Sequence, residues 1–234
     1  KATCKAEGLR NLKCRRCGET KKVVLVKTHQ FSSWQTTKDA TVFAPEVQIR
    51  TCNVCGYKET RNNGKKLAAT MKVNAAKLPL KIKQKTTVLK VSGLANGDSV
   101  ASWKSGNTKV VKVSGKPNGT CTLAAGRKKG KTTITIILKS GLKKKITITV
   151  QKAAVKTAKI TGMPKNLKLK KNQTVTLKAA VAPLTSLQKL KYKSSNKKIV
   201  TVTSKGVVKA KKKGNAVITV QSGSKTVKCK VTVK

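Results

Sequence analysis

From residue 71 onward, apolar and polar positions alternate in short runs. MKV (71–73), LPLKIK (78–83), TVLKV (87–91), VASWKS (100–105), VVKV (110–113), CTLA (121–124), TTITIIL (132–138) and KKITITV (144–150) each follow the period of a half-buried strand. A second series runs AKI (158–160), LKLK (167–170), TVTLKAAV (174–181), LKYKSS (190–195), IVTV (199–202), VVKA (207–210), AVITV (216–220) and VKCKVTVK (227–234). Turn signals separate the runs, among them NGD at 96–98, SGN at 105–107, KPNG at 116–119 and SG at 140–141. Nowhere does a helical period appear.

The two series are copies. WKSGNTKVVKVS (103–114) returns as YKSSNKKIVTVT (192–203), an offset of 89 that matches Trp103 to Tyr192, Ser105 to Ser194 and Asn107 to Asn196. The aromatics and alternating valines are expected in the core, the asparagines in turns. About seven short strands per 80 residues predict an immunoglobulin-like sandwich for each copy. The expected fold is therefore all-β: two tandem immunoglobulin-like β-sandwiches, at 71–151 and 156–234, behind a small zinc-ribbon-like Cys-rich N-terminal domain at 1–64. KKLAAT (65–70) reads as a linker and QKAAVKTA (151–158) as a short joint that sets the sandwiches end to end.

The head carries a repeat of its own, since residues 2–22 align without gaps on 40–60 at an offset of 38. Cys14, Cys17 and Gly18 match Cys52, Cys55 and Gly56, whereas Cys4 falls opposite Val42. A C-x-x-C turn aims two thiolates at one ion, and the following glycine accepts the φ that the turn needs. The first expectation is one structural zinc held by Cys14, Cys17, Cys52 and Cys55. Cys4 and His29, both missing from the second copy, suggest an alternative in which they join Cys14 and Cys17; oxidation to disulfides is a third. Trp34 reads as core.

Charge changes the picture most. The formal net charge is +49, and five of the six acids (Glu7, Glu19, Asp39, Glu46 and Glu59) precede residue 64. Beyond it lie 42 of the 55 basic residues against Asp98 alone, a net +41, with Arg127 the single arginine there. Solubility needs only a net charge of about 2–8 in a small domain, so a polyanionic partner is implied. The candidate contacts are Lys104, Lys109, Lys112, Arg127, Lys128, Lys129, Lys131, Lys143, Lys144, Lys145, Lys193, Lys197, Lys198, Lys211, Lys212 and Lys213. Some lysines guard sheet edges against aggregation, but that role does not explain the near absence of Asp and Glu.

The same inventory excludes much. With one carboxylate and no His after residue 64, the β units hold no acid–base pair, so no enzyme is expected. GRKKGKT (126–132) falls short of a phosphate loop, because Ala125 stands where Gly is required and a strand follows instead of a helix. Cys121 and Cys229 read as buried thiols. Scarce aromatics and arginines argue against nucleic acid; lysine reads charge density, which suits a flexible polyphosphate such as teichoic acid or an anionic polysaccharide. No run of 18 apolar residues spans a membrane. KATCKAEGLR has no signal region, so the chain reads as a mature segment or an excised fragment, monomeric within a longer protein.

The W/Y-K-S-x-N-x-x-x-V-x-V core, followed by RKKGKTTIT (127–135) or KKKGNAVIT (211–219), resembles the bacterial immunoglobulin-like domain, group 2. The head is similar to Cys-rich repeats found beside such domains in secreted proteins of Gram-positive gut bacteria. These resemblances imply a non-catalytic module at the surface of a Gram-positive bacterium, either an adhesin stalk or the attachment tail of a polysaccharide-degrading enzyme.

Overall fold

The computed structural model describes residues 4, 7–25 and 28–234. Ala2, Thr3, Lys5 and Ala6 of the first head repeat, and Val26 and Lys27 of the segment between the repeats, lie outside them. Strands, turns and extended segments make up all that is described. The chain forms two compact units, one of residues 1–70 with 94–98 and one of 71–93 with 99–234.

In the first unit, β1 (Gly8–Lys13) and β2 (Thr20–Leu25) form a hairpin. A three-stranded antiparallel sheet follows from β3 (Gln35–Lys38), β4 (Glu46–Thr51) and β5 (Lys58–Asn63). Each C-x-x-C sequence is a hairpin turn, so the internal repeat of the sequence is a repeat of hairpins. The 94–98 turn belongs to this unit: Val42 N–H donates to Asn96 O at 3.0 Å, and the Asn96 amide donates to Ala40 O at 3.0 Å.

The second unit contains the same nine-strand pattern twice. Its first half comprises β6 (Lys72–Val73), β7 (Lys77–Lys81), β8 (Lys85–Thr86), β9 (Val91–Ser92), β10 (Val100–Ser105), β11 (Val111–Gly115), β12 (Cys121–Ala125), β13 (Gly130–Leu138) and β14 (Lys143–Gln151). Its second half comprises β15 (Lys159–Thr161), β16 (Asn166–Leu169), β17 (Thr174–Thr176), β18 (Ala180–Ala182), β19 (Lys191–Ser194), β20 (Val200–Val202), β21 (Val207–Ala210), β22 (Gly214–Ser222) and β23 (Lys225–Val233). A four-stranded sheet, ordered β10-β13-β14-β7 in the first half and β19-β22-β23-β16 in the second, faces a three-stranded one, β11-β12-β8 or β20-β21-β17. Short pairs, β6-β9 and β15-β18, complete each half. The parallel pairings are β7 on β14 and β16 on β23. Both halves are immunoglobulin-like sandwiches.

One expected strand divides in both copies. TVLKV (87–91) is mostly the passage from β8, which ends at Thr86, to β9, which takes only Val91, and TVTLKAAV becomes β17 and β18, because the chain crosses there from one sheet to another. Asn74 holds the first crossing: its amide donates to Val88 O at 2.7 Å, and its Oδ1 accepts from Lys90 N–H at 2.9 Å. Backbone groups that leave one ladder before joining the next are thus satisfied by a side chain.

The cores are aliphatic. Leu80, Leu123, Ile134, Ile136 and Ile148 are fully buried in the first sandwich, and Val200, Val208, Ile218, Val220 and Cys229 in the second. Cys121 is buried too, and burial pushes its thiol up to about 11. Trp103 and Tyr192 are only half-buried, against the expectation of core positions. Each sits on an edge strand, Trp103 over Gly115 and Tyr192 over Gly206, where it closes the open side of the sandwich. Between the halves, the Gln84 amide donates to Thr185 O at 2.9 Å and the Thr185 hydroxyl donates to Pro79 O. With Val155, Thr157 and Thr185 buried, the joint is packed.

Candidate functional site

Two features carry chemistry: a thiol–imidazole cluster in the head and a lysine face on the sandwiches. The β4–β5 turn presents Cys52 and Cys55, with Cys52 buried. Cys4, ahead of β1, and His29, beyond β2, approach from the open end of the first hairpin. The four ligand atoms lie within 4.8 Å of one another, Cys52 Sγ being 3.7 Å from Cys4 Sγ and Cys55 Sγ 3.4 Å from His29 Nδ1. Tetrahedral zinc, with bonds of about 2.3 Å to sulfur and about 2.0 Å to nitrogen, separates its ligands by about 3.8 Å (S to S) and about 3.6 Å (S to N). Three thiols and one imidazole at these spacings suit a closed structural metal site, and all seven cysteines are free thiols.

Burial alone would raise the Cys52 thiol, but donors from the Cys55 and Val54 backbone and from His29 outweigh it and hold it at about 5. Cys4 moves the opposite way, pushed up to about 11 by burial and by the neighbouring Cys55 and Cys52. The His29 ring stacks on Tyr57 at 4.7 Å and lies 5.3 Å from Phe31. Arg50 covers Phe31 at 4.0 Å while pairing with Glu59 at 2.6 Å. Trp34, expected in the core, is half-buried between the guanidinium groups of Arg50 and Arg61.

This grouping differs from both sets expected from the sequence, taking Cys52 and Cys55 from the first and Cys4 and His29 from the second. Cys14 and Cys17 occupy the β1–β2 turn, exposed and apart from the cluster. A six-residue hairpin is about 20 Å long at 3.3 Å per residue, so its turn and its open end cannot share one ion. That length separates Cys14 and Cys17 from Cys4 and His29. Spacing alone identifies knuckles; it does not reveal which end of a hairpin meets them.

Every lysine from Lys72 to Lys234 is exposed. In the first sandwich the registers Lys104↔Thr135 and Thr135↔Lys145 make a cross-strand row of lysine, threonine and lysine. The second sandwich repeats it as Lys193↔Thr219 and Thr219↔Lys228. The same outer face carries Lys77, Lys81, Lys131 and Lys143 in the first copy, and Lys168, Lys191 and Lys230 in the second. An open groove of about 530 Å³ lies on the second face, with Lys168, Ser195, Asn215, Lys230 and Thr232 among its lining residues.

The lysines named from sequence thus separate into groups. Lys104, Lys131, Lys143, Lys145 and Lys193 lie on the outer faces, and Lys144 projects from the inward-facing register of β14 near its exposed start. Lys109 lies beside the Arg127, Lys128 and Lys129 loop, where Gly126 N–H donates to Val110 O at 2.8 Å. Lys197 and Lys198 lie beside Lys211, Lys212 and Lys213, where Lys211 N–H donates to Ile199 O at 2.7 Å. Lys112 is in a row with Ala124 and Lys85 on the three-stranded sheet. The lysines named from sequence leave out Lys77, Lys81, Lys168, Lys191, Lys228 and Lys230, although the alternation within LPLKIK, LKLK, LKYKSS and VKCKVTVK puts all of these but Lys77 on a lysine-bearing strand face.

Among solved structures, the chain is similar to the S-layer protein rSbsC(31-844), with TM-score 0.34 and 17% identity over 96% of this chain and 37% of that one. Domains 5-6 of the S-layer protein SbsC give TM-score 0.37 and 17% identity over 70% and 97%. The human mucin-like protocadherin EC1-2 gives 0.30 and 10% over 71% and 99%. A stretch of 58 residues is 50% identical to kappa-carrageenase of Pseudoalteromonas carrageenovora, covering 24% of this chain and 15% of the enzyme's length. Residues 154–233, the second of the two sandwiches, match the bacterial Ig-like domain (group 2) family.

Proposed function

We propose that this chain is a non-catalytic extracellular module that holds a larger secreted protein on a polyanionic envelope polymer, a teichoic acid or an anionic glycan. The observation that carries the reading is the repeated lysine–threonine–lysine row. Edge strands use lysine to block aggregation, but β14 and β23 are central strands with nothing to block. Lys143, Lys145, Lys228 and Lys230 nevertheless stand on their outer faces. Strands about 4.8 Å apart set the outer lysines of a row about 10 Å from each other, a spacing a flexible phosphate or sulfate polymer can match. The family match of residues 154–233 and the stretch shared with kappa-carrageenase suit the attachment tail of a polysaccharide-degrading enzyme at a bacterial surface.

The test is retention on isolated Gram-positive cell walls, with and without teichoic acid, alongside kappa-carrageenan and heparin. Retention should collapse at about 0.5–1 M salt, where screening shortens to a few Å. Binding that persists there, or that ignores removal of the polymer, refutes the reading. The packed joint at Gln84, Pro79 and Thr185 favours a second reading, a structural stalk. Charge reversal of the central-strand lysines separates the two, because anchoring fails and a spacer is indifferent.

A further inference from the structure

We infer that the Cys14–Cys17 turn is half of a second metal site, to be completed by a Cys and a His from another copy of the head repeat. The inference rests on reading Cys4, His29, Cys52 and Cys55 as a zinc centre. The two turns are built alike. Cys14 N–H donates to Glu19 O at 2.7 Å, and Cys52 N–H to Tyr57 O at 2.8 Å. Gly18 N–H donates to Cys14 O at 3.0 Å, and Gly56 N–H to Cys52 O at 2.9 Å, with φ of 76° and 74° at the two glycines. The Cys17 N–H also points at Cys14 Sγ, 3.5 Å away. One turn therefore has two further ligands beside it, and the other has the same cradle open to solvent.

The offset between repeats supplies the rule for filling it. The cluster takes its Cys and His from the first repeat and its C-x-x-C pair from the second, 38 residues on. Shifted back by one repeat, Cys14 and Cys17 would receive a Cys and a His from a unit standing before the first. Shifted forward, the positions of Cys4 and His29 become Val42 and Leu67. These two are again brought close, since Leu67 N–H donates to Thr41 O at 2.8 Å. Here, however, Val42 is buried and neither side chain can bind a metal. The second repeat thus receives ligands and passes none on, as the terminal unit of an array does.

The experiment adds a second copy of residues 2–39 directly ahead of Ala2 in the full chain and measures zinc per chain by native mass spectrometry. The full chain alone should hold one zinc and the extended chain two. In the extended chain, Cys14→Ser with Cys17→Ser should return the count to one, with the sandwiches folded. An extended chain that stays at one zinc, or keeps two after those substitutions, overturns the array rule alone. A full chain that dimerises through two Cys14–Cys17 turns, at three zinc ions per dimer, also overturns it. A full chain holding no zinc removes the four-ligand centre itself, and this inference with it.

Discussion

Ser194 and Ser105 occupy equivalent places, each donating its hydroxyl at 2.7 Å to a carbonyl six residues on, Val200 O and Val111 O. Ser194 is buried, so Ser194→Ala should cost about 1–2 kcal/mol in urea unfolding, and the more exposed Ser105→Ala less. Equal losses would contradict the burial argument. Gly115 is constrained by its neighbour, because an added Cβ would fall 2.0 Å from Trp103 Cδ1. Gly115→Ala should cost about 1–3 kcal/mol and shift the Trp103 fluorescence, whereas an unchanged spectrum would show that the ring moves freely. In the metal-free head, Cys52 at about 5 lies below the ordinary 9.0, so its contribution is complete above pH 9 and is lost as pH falls through 5. Cys4 at about 11 acts in reverse, complete below pH 9 and lost as pH rises through 11. Denaturant unfolding of the metal-free chain should therefore show the head most stable near pH 9, and a steady decline from pH 6 to 9 would contradict the assignment. The turn asparagines were legible, since Asn107 and Asn196 each accept the N–H two residues on at 3.0 Å. The places of Trp103 and Tyr192 were not, because alternation gives the face of a strand and not whether the strand is an edge.

At the scale of elements, the lysine face follows from register. Lys145→Gln with Lys228→Gln should lower the salt dependence of polyanion binding, by roughly 0.7 in logarithmic slope per lysine that meets one phosphate. Stability should stay within about 0.5 kcal/mol, as for other exposed positions. An unchanged slope would move the site to the Lys128 and Lys212 loops. Alternation in KCKVTVK was enough to predict lysines on one face of β23. That Lys228 would stand across Thr219 from Lys193 required the pairing, which strand composition does not encode. The same holds for the division of β8 from β9, where the run of residues is continuous but the partner strand changes.

Across the whole molecule, the order of sandwiches was legible because the 89-residue repeat preserves both turn chemistry and core positions. The metal cluster was legible only as donors. Its membership depends on how two hairpins meet, and the sequence marks neither the open end of β1–β2 nor the neighbour it faces. The parallel pairs have a mechanical consequence. β7 lies near the entrance to the first sandwich and β14 at its exit, running in the same direction from Lys77↔Thr147 to Lys81↔Gln151. Tension applied along the chain pulls these strands past each other, so the rungs between them are loaded together in shear and not opened one by one. β16 and β23 repeat the arrangement from Asn166↔Lys230 to Leu169↔Val233. In single-molecule pulling, each sandwich should yield in one abrupt step, and a proline at Val231, which removes an N–H from β23, should lower the force of one step and leave the other unchanged.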